Sequence, residues 1–149
     1  PTSGTIRMVT SMLKSTKQKP RILFVDDSKT VRKSGLKILS NDYAVSEASK
    51  GKKALQILQN VDSFDVIFAD IQMPEKNGLQ FLQKIRSMDD HRTAQLPVIM
   101  ITGHSDSHAA MRAVFEMGAT VFISKPFSDI DLISTAHSYI DLKRKMELL

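Results

Sequence analysis

From Arg21 onward, short apolar runs alternate with stretches whose apolar residues recur every three or four positions. Runs nearly continuous in Val, Ile, Leu and Phe suit parallel strands buried on both faces, and the intervening helical period marks the crossovers between them. The pattern predicts five strands, at 22–25, 43–47, 66–69, 98–101 and 121–124. Four are almost wholly apolar, while 43–47 is more polar and is expected at a sheet edge. Helices are predicted over 29–40, 52–59, 79–88, 107–117 and 129–149, with faces such as Ala110, Ala113, Val114 and Met117. Local punctuation agrees: Asn77-Gly78 reads as a turn, Gly118 as a helix stop, and Ser128 as an N-cap with Asp131 three residues on. The class is α/β, a parallel sheet with helices on both faces.

Composition narrows this to one ordinary globular core: 149 residues, 42% hydrophobic and 25% charged. The lack of cysteine excludes disulfides, thiolate metal sites and cysteine nucleophiles together. No run approaches the roughly 20 apolar residues of a membrane span, and the first residues lack the basic-then-apolar order of a secretory signal. A cytoplasmic setting without a membrane partner is therefore expected. The net charge of +5 hints at nucleic acid until it is divided along the chain. Arg7, Lys14, Lys17 and Lys19 have no acid among them, leaving 17 bases against 16 acids from Arg21 onward. The basic excess belongs to the start, and no nucleic-acid partner is indicated. The expected organisation is a basic tail or linker at 1–20, a folded domain at 21–142 and an extension of the last helix at 143–149.

In an open parallel α/β sheet, ligands bind in the crevice beyond the carboxyl ends of the strands. Here the first strand ends in Asp26-Asp27, the third in Asp70, the fourth in Thr102 and the fifth in Lys125, whereas the second ends in Ala48. Three carboxylates brought together repel one another, so such a cluster either raises a pKa or holds a hard cation that offsets the charge. With oxygen ligands only, that cation is Mg²⁺, which keeps several waters and binds through carboxylates and phosphate oxygens. Lys125 would offer a positive charge to a phosphoryl oxygen, Thr102 a hydroxyl donor, and a carboxylate is a competent nucleophile toward phosphorus.

The runs Phe24-Val25-Asp26-Asp27-Ser28, Phe68-Ala69-Asp70-Ile71-Gln72-Met73-Pro74, Ile101-Thr102-Gly103 and Ser124-Lys125-Pro126-Phe127 resemble, in order and spacing, the signature of response-regulator receiver domains of two-component signalling. The resemblance extends over about Pro20 to Leu142 and is of the chemotaxis-regulator type. It implies a flavodoxin-like, doubly wound, five-stranded parallel sheet of order 2-1-3-4-5. It also implies that Asp26 and Asp27 hold Mg²⁺, that Asp70 takes a phosphoryl group from a histidine kinase or phosphotransfer protein, and that the Gln72 backbone carbonyl completes the metal's ligands. Thr102 would turn toward the phosphoryl group, Phe122 stands where the family has its switch aromatic, and Lys125-Pro126 resembles the family's cis peptide. Gly103 leaves space for the phosphoryl group. Gln72 and His104 flank the site and are expected to influence access of water, hence the lifetime of the phosphorylated state.

Each residue also has an ordinary reading. Asp26-Asp27 could be a strand-end turn, and Lys125 a solvated surface lysine. Asp70 could cap a helix, although Met73-Pro74 prevents a helix from starting at once. Thr102 could simply end its strand, and Phe122 could be plain core. His91, His104, His108 and His137 lack paired metal-ligand spacing and read as surface or loop residues. A haloacid-dehalogenase-like phosphatase also places an Asp after its first strand, but requires an acid two residues later, where this chain has Ser28. A flavin or nucleotide domain would carry a Gly-rich loop there, and none follows the first strand. A phosphorylation-independent interaction module with this fold is disfavoured by the complete set of Asp26, Asp27, Asp70, Thr102 and Lys125.

The last helix outlasts the length needed to cover the sheet. Ile133, Ala136 and Ile140 are expected to face the sheet, while Leu132, Thr135, Tyr139, Leu142, Met146 and Leu149 recur at coiled-coil spacing. That spacing points to a homodimer through the last helix. The alternative is a helix that frays after Leu142.

Overall fold

The computed structural model describes residues 19–61, 64–72, 78–103 and 106–148. Its strands are β1 (Arg21–Val25), β2 (Ala44–Ala48), β3 (Val66–Asp70), β4 (Val98–Thr102) and β5 (Val121–Ser124). Its helices are α1 (Lys29–Leu39), α2 (Gly51–Asn60), α3 (Gly78–Arg86), α4 (His108–Glu116) and α5 (Asp129–Glu147), with a single helical turn at His91–Ala94. All strand pairings are parallel, in the order β2-β1-β3-β4-β5. This is the flavodoxin-like arrangement, with β2 at an edge as its polarity implied.

Alternation along the strands divides the core into two layers. Ile22, Phe24, Val66, Phe68, Ile99 and Ile101 face one side, where Leu39 of α1 and Leu132, Ala136 and Ile140 of α5 cover them. Leu23, Val25, Ile67, Ala69, Val98 and Met100 face the other, under Leu55 and Leu58 of α2, Phe81 and Ile85 of α3 and Val114 of α4. Burying a strand side chain on either face contributes about 1.5–3 kcal/mol, which is why these strands carry no alternation of apolar and polar residues. Among the described residues, no helix is long and apolar enough to cross a membrane.

The helix starts follow local chemistry. Ser28, Ser107 and Ser128 each accept a backbone N–H of the first turn, and Ser128 with Asp131 forms a reciprocal capping box. Gly35 permits the close approach of α1 to the sheet, since a Cβ there would lie 2.5 Å from the Phe24 ring. Gly118, at φ 112°, turns the chain after α4 in a conformation that costs other residues strain. The turn at Asn77-Gly78 falls partly outside the described residues.

Three expectations are corrected. Tyr43 does not open β2: its N–H bonds the Leu39 carbonyl, so it belongs to the turn that follows α1 and the strand begins at Ala44. β3 and β4 each run one residue further than expected, so that Asp70 and Thr102 are themselves strand residues held by the ladder. Leu132 faces the sheet and is fully buried, whereas Ile133 is only partly buried. The inward stripe of α5 is Leu132, Ala136 and Ile140, one residue per turn along a single ridge. Leu132 thus leaves the expected outer seam, and Leu149 lies outside the described residues. Leu142, Met146 and Leu148 remain exposed, and the helix continues past Leu142 to Glu147.

Candidate functional site

The sheet brings four strand ends together because its order places β1 beside β3, β3 beside β4 and β4 beside β5. Register sets the depth: Val25 pairs with Ala69, Asp70 with Ile101 and Thr102 with Ser124. Asp26, Asp27, Asp70 and Lys125 therefore emerge at one level. Carboxylate oxygens of Asp26, Asp27 and Asp70 lie within 4.8 Å of one another, Asp27 exposed and the other two buried.

Asp26 is held on both sides. Its Oδ1 accepts the Ser28 N–H at 2.9 Å, and its Oδ2 sits 3.0 Å from Lys125 Nζ as an ion pair. That second oxygen is buried and accepts no hydrogen bond of good geometry. Asp70 Oδ1 accepts the Gln72 N–H at 3.1 Å, and its Oδ2 accepts from Lys125 Nζ at 3.1 Å. Lys125 thus bridges two buried carboxylates, and its own N–H bonds the Thr102 carbonyl at 2.7 Å. The Lys125–Pro126 peptide is cis.

Electrostatics follow from this geometry. Burial and the neighbouring Asp26 charge push the Asp70 carboxyl above the usual carboxylate value, and the contacts from Lys125 and Gln72 only partly oppose them. For Lys125, burial pulls the ammonium down, but the contacts and charges of Asp26 and Asp70 outweigh it and hold it above the ordinary lysine value. Three carboxylates and one ammonium sum formally to −2, and the buried Asp26 Oδ2 is met by Lys125 alone, as an ion pair without good hydrogen-bond geometry. An all-oxygen set with that deficit fits a hard divalent cation.

The remaining expected residues are distributed around this centre. Thr102 is buried, and its hydroxyl donates only weakly, to the Ile123 carbonyl at 3.5 Å. Gly103 follows it with open space around its Cα. Phe122 is partly buried against the layer that carries α4 and borders a groove with His108, Met111 and Phe115. Gln72 is exposed, and its N–H is committed to Asp70. Pro126 is exposed beside Lys125. His104 lies outside the described residues, as do Met73 and Pro74.

Two residues near the centre escaped sequence reasoning. Arg32 donates to the Asp26 carbonyl at 2.8 Å and pairs with Glu47 at 3.0 Å, clamping the ends of β1 and β2. Asp106 grips the Gly103 N–H at 2.6 Å. Arg32 sits one helical turn beyond the Ser28 cap, a signal that becomes readable only once α1 is known to begin there.

Comparison with known proteins places this geometry. The family described as response regulator receiver domain matches residues 22–137. A histidine kinase P4 of Formosa agariphila is 37% identical over 113 residues, 75% of this chain and 8% of the relative. The response regulator MprA of Mycolicibacterium vanbaalenii is 35% identical over 115 residues, 76% of this chain and 47% of the relative. Among solved structures, a response regulator receiver domain protein from Clostridium thermocellum superposes with a TM-score of 0.74 at 31% identity, covering 87% of this chain and 99% of its own. The chain spans less than half the length of the curated relatives it matches first.

Proposed function

The chain belongs to the response regulator receiver domain family of two-component signalling, and from that premise we propose that Asp70 accepts a phosphoryl group from a histidine kinase or phosphotransfer protein. Receiver domains of this family bind Mg²⁺ at an acidic pocket and are generally not turnover enzymes. The observation that carries the assignment is the position of the Asp70 carboxylate, buried at a strand end, 3.1 Å from Lys125 and beside two further carboxylates.

In the proposed reaction an Asp70 oxygen attacks the phosphorus of an N-phosphorylated imidazole on the donor protein. The P–N bond breaks, a P–O bond forms, and the imidazole departs with a proton from solvent. Asp26, Asp27, Asp70 and the Gln72 carbonyl would hold Mg²⁺, which when bound offsets the carboxylates and receives phosphoryl oxygens. Lys125 pairs with a phosphoryl oxygen, exchanging one anion for another. The Thr102 hydroxyl leaves its long contact with Ile123, and Phe122 follows into the space released. Gln72, and His104 by its place two residues after Thr102 in the sequence, are proposed to set how fast water returns the carboxylate to its resting form. Residues 21–142 are assigned to the receiver, 1–20 to a basic tail or linker and 143–149 to an extension beyond the receiver, all in a cytoplasmic setting.

Incubation with a small phosphodonor and Mg²⁺, read by intact mass, is expected to add one phosphoryl group to the native chain and none to Asp70→Asn. Full labelling of Asp70→Asn would overturn the assignment.

The last helix carries a second part of this reading. Leu142, Met146 and Leu148 are exposed on α5, beyond the residues that cover the sheet. We infer that this end of α5 pairs with its counterpart in a second copy, with phosphorylation shifting the monomer–dimer equilibrium. Sedimentation at several concentrations, with and without a phosphoryl mimic and Mg²⁺, is expected to show a dimer that weakens on truncation after Leu142. A monomer under every condition removes the inference.

A further inference from the structure

The connection from β1 to α1 is three residues long, Asp26 to Ser28, and it carries two of the three carboxylates of the crevice. Every polar group of Asp26 meets a partner. Its N–H bonds the Ala48 carbonyl of β2 at 3.1 Å, its carboxylate meets Ser28 and Lys125, and its carbonyl accepts the Arg32 guanidinium at 2.8 Å. Asp27 has no such anchors: its carboxylate is exposed and makes no ion pair or side-chain hydrogen bond to another described residue. Where that carboxylate points therefore depends on the peptide joining it to Asp26. The oxygen of that peptide is the one Arg32 grips.

Three features set Arg32 apart from an ordinary surface ion pair. Its side chain is only 13% exposed, although that of its partner Glu47 is 43% exposed. Its donors divide between a backbone carbonyl through Nη1 and a carboxylate through Nε, a fork that an ammonium cannot reproduce. The third feature is the choice of anion. Arg32 lies beside a crevice of three carboxylates, yet its ion pair is with Glu47, which the register sets opposite Phe24, one residue short of the end of β2. The guanidinium is thus drawn back from the strand ends and left to hold the backbone.

We propose that Arg32 is a positioning residue for the cation of the crevice. By fixing the Asp26 carbonyl it fixes the Asp26–Asp27 peptide and so presents the Asp27 carboxylate to the metal, while Glu47 keeps the guanidinium charge off the acidic ligands. The proposal rests on the reading of Asp27 as a Mg²⁺ ligand. Its consequence is that Arg32 acts on the metal in the direction opposite to its charge. A guanidinium near a divalent cation repels it, so by charge alone the loss of Arg32 would favour binding. Loss of a group that orients a ligand weakens binding.

Calorimetric titration of the full chain with Mg²⁺ separates the two effects. Arg32→Gln is expected to weaken Mg²⁺ about tenfold. Arg32→Lys, which keeps the charge without the fork, is expected to weaken it by a smaller factor. In an Asp27→Ala background, where the presented ligand is gone, adding Arg32→Gln is expected to cause no further loss, a coupling that general damage to the fold would not produce. Circular dichroism and urea unfolding in chelator establish that each titrated variant is folded, and Arg32→Lys carries the comparison if Arg32→Gln does not fold. Unchanged or tighter binding in Arg32→Gln overturns the positioning role while leaving the Asp70 assignment intact. Wild-type affinity in Arg32→Lys where that variant stands alone, or an equal loss from Arg32→Gln with and without Asp27, does the same. A native chain that binds no Mg²⁺, or binds it no better than Asp27→Ala does, overturns the ligand reading and this proposal with it.

Discussion

The two poles of the sheet each bury an aspartate among cations, and they treat it in opposite ways. At the amino ends of the strands, Asp65 Oδ2 accepts the Arg21 N–H at 2.9 Å and meets Arg144 at 3.5 Å, while Oδ1 lies 3.8 Å from Lys143. One carboxylate is matched there by more positive charge than it needs, and the contacts tie the end of α5 to the start of β3. At the carboxyl ends, three carboxylates gather near one ammonium, which pairs with Asp26 at 3.0 Å and Asp70 at 3.1 Å, and the Asp70 carboxyl is pushed upward. A pole built for stability satisfies its charges internally. A pole that, on the proposed function, receives a cation and an anionic group has unbalanced charges in their absence.

That contrast can be broken by exchanging the perturbations. Asp27→Ala is expected to weaken Mg²⁺ binding at least about tenfold in calorimetric titration while barely changing stability, because Asp27 is exposed and contributes mainly ligand charge. Asp65→Ala should do the reverse, with unchanged Mg²⁺ affinity and a loss of about 1–3 kcal/mol in urea unfolding, as its donors lose a buried acceptor. Equal effects of the two variants on Mg²⁺ would mean that the poles are not functionally distinct.

The smallest expected effect is on pH. Asp70 binds its proton more tightly in the folded chain than at the ordinary carboxylate value of 3.8. Between that value and the raised folded one, the native state holds more protons than the unfolded state. Stability without metal should therefore fall as pH rises through this window. Chelator-treated protein should show the decline in its urea midpoint, and Asp70→Asn should lack it. A decline of equal size in Asp70→Asn would place its source elsewhere.

Much of the site was legible because its residues terminate strands, and strand ends are marked by an abrupt change from apolar to charged. Asp26, Asp27, Asp70, Thr102 and Lys125 were each readable at such a border. Leu132 was misplaced because two apolar stripes of α5 differ by a small rotation, and only the packed ridge of Leu132, Ala136 and Ile140 selects between them. Tyr43 differs from expectation because an aromatic residue beside an apolar run suits a strand start, and only its bond back to the Leu39 carbonyl places it in the preceding turn.

The alternation of buried strands with helices and the charged residue at each strand border were determined by the amino-acid sequence itself, since apolar periodicity and the charge at each border are local properties, while the order of strands was implied by the resemblance to a known family. Tertiary structure alone decided which partner each carboxylate oxygen of Asp26 and Asp70 meets. It also decided that Lys125 bridges Asp26 and Asp70, that Asp65 meets Arg144 from 79 residues away, and that Asp106 holds Gly103. These contacts depend on distances of a few tenths of an ångström between groups that the chain brings together from separate elements, and residue type and spacing carry no record of distance at that scale.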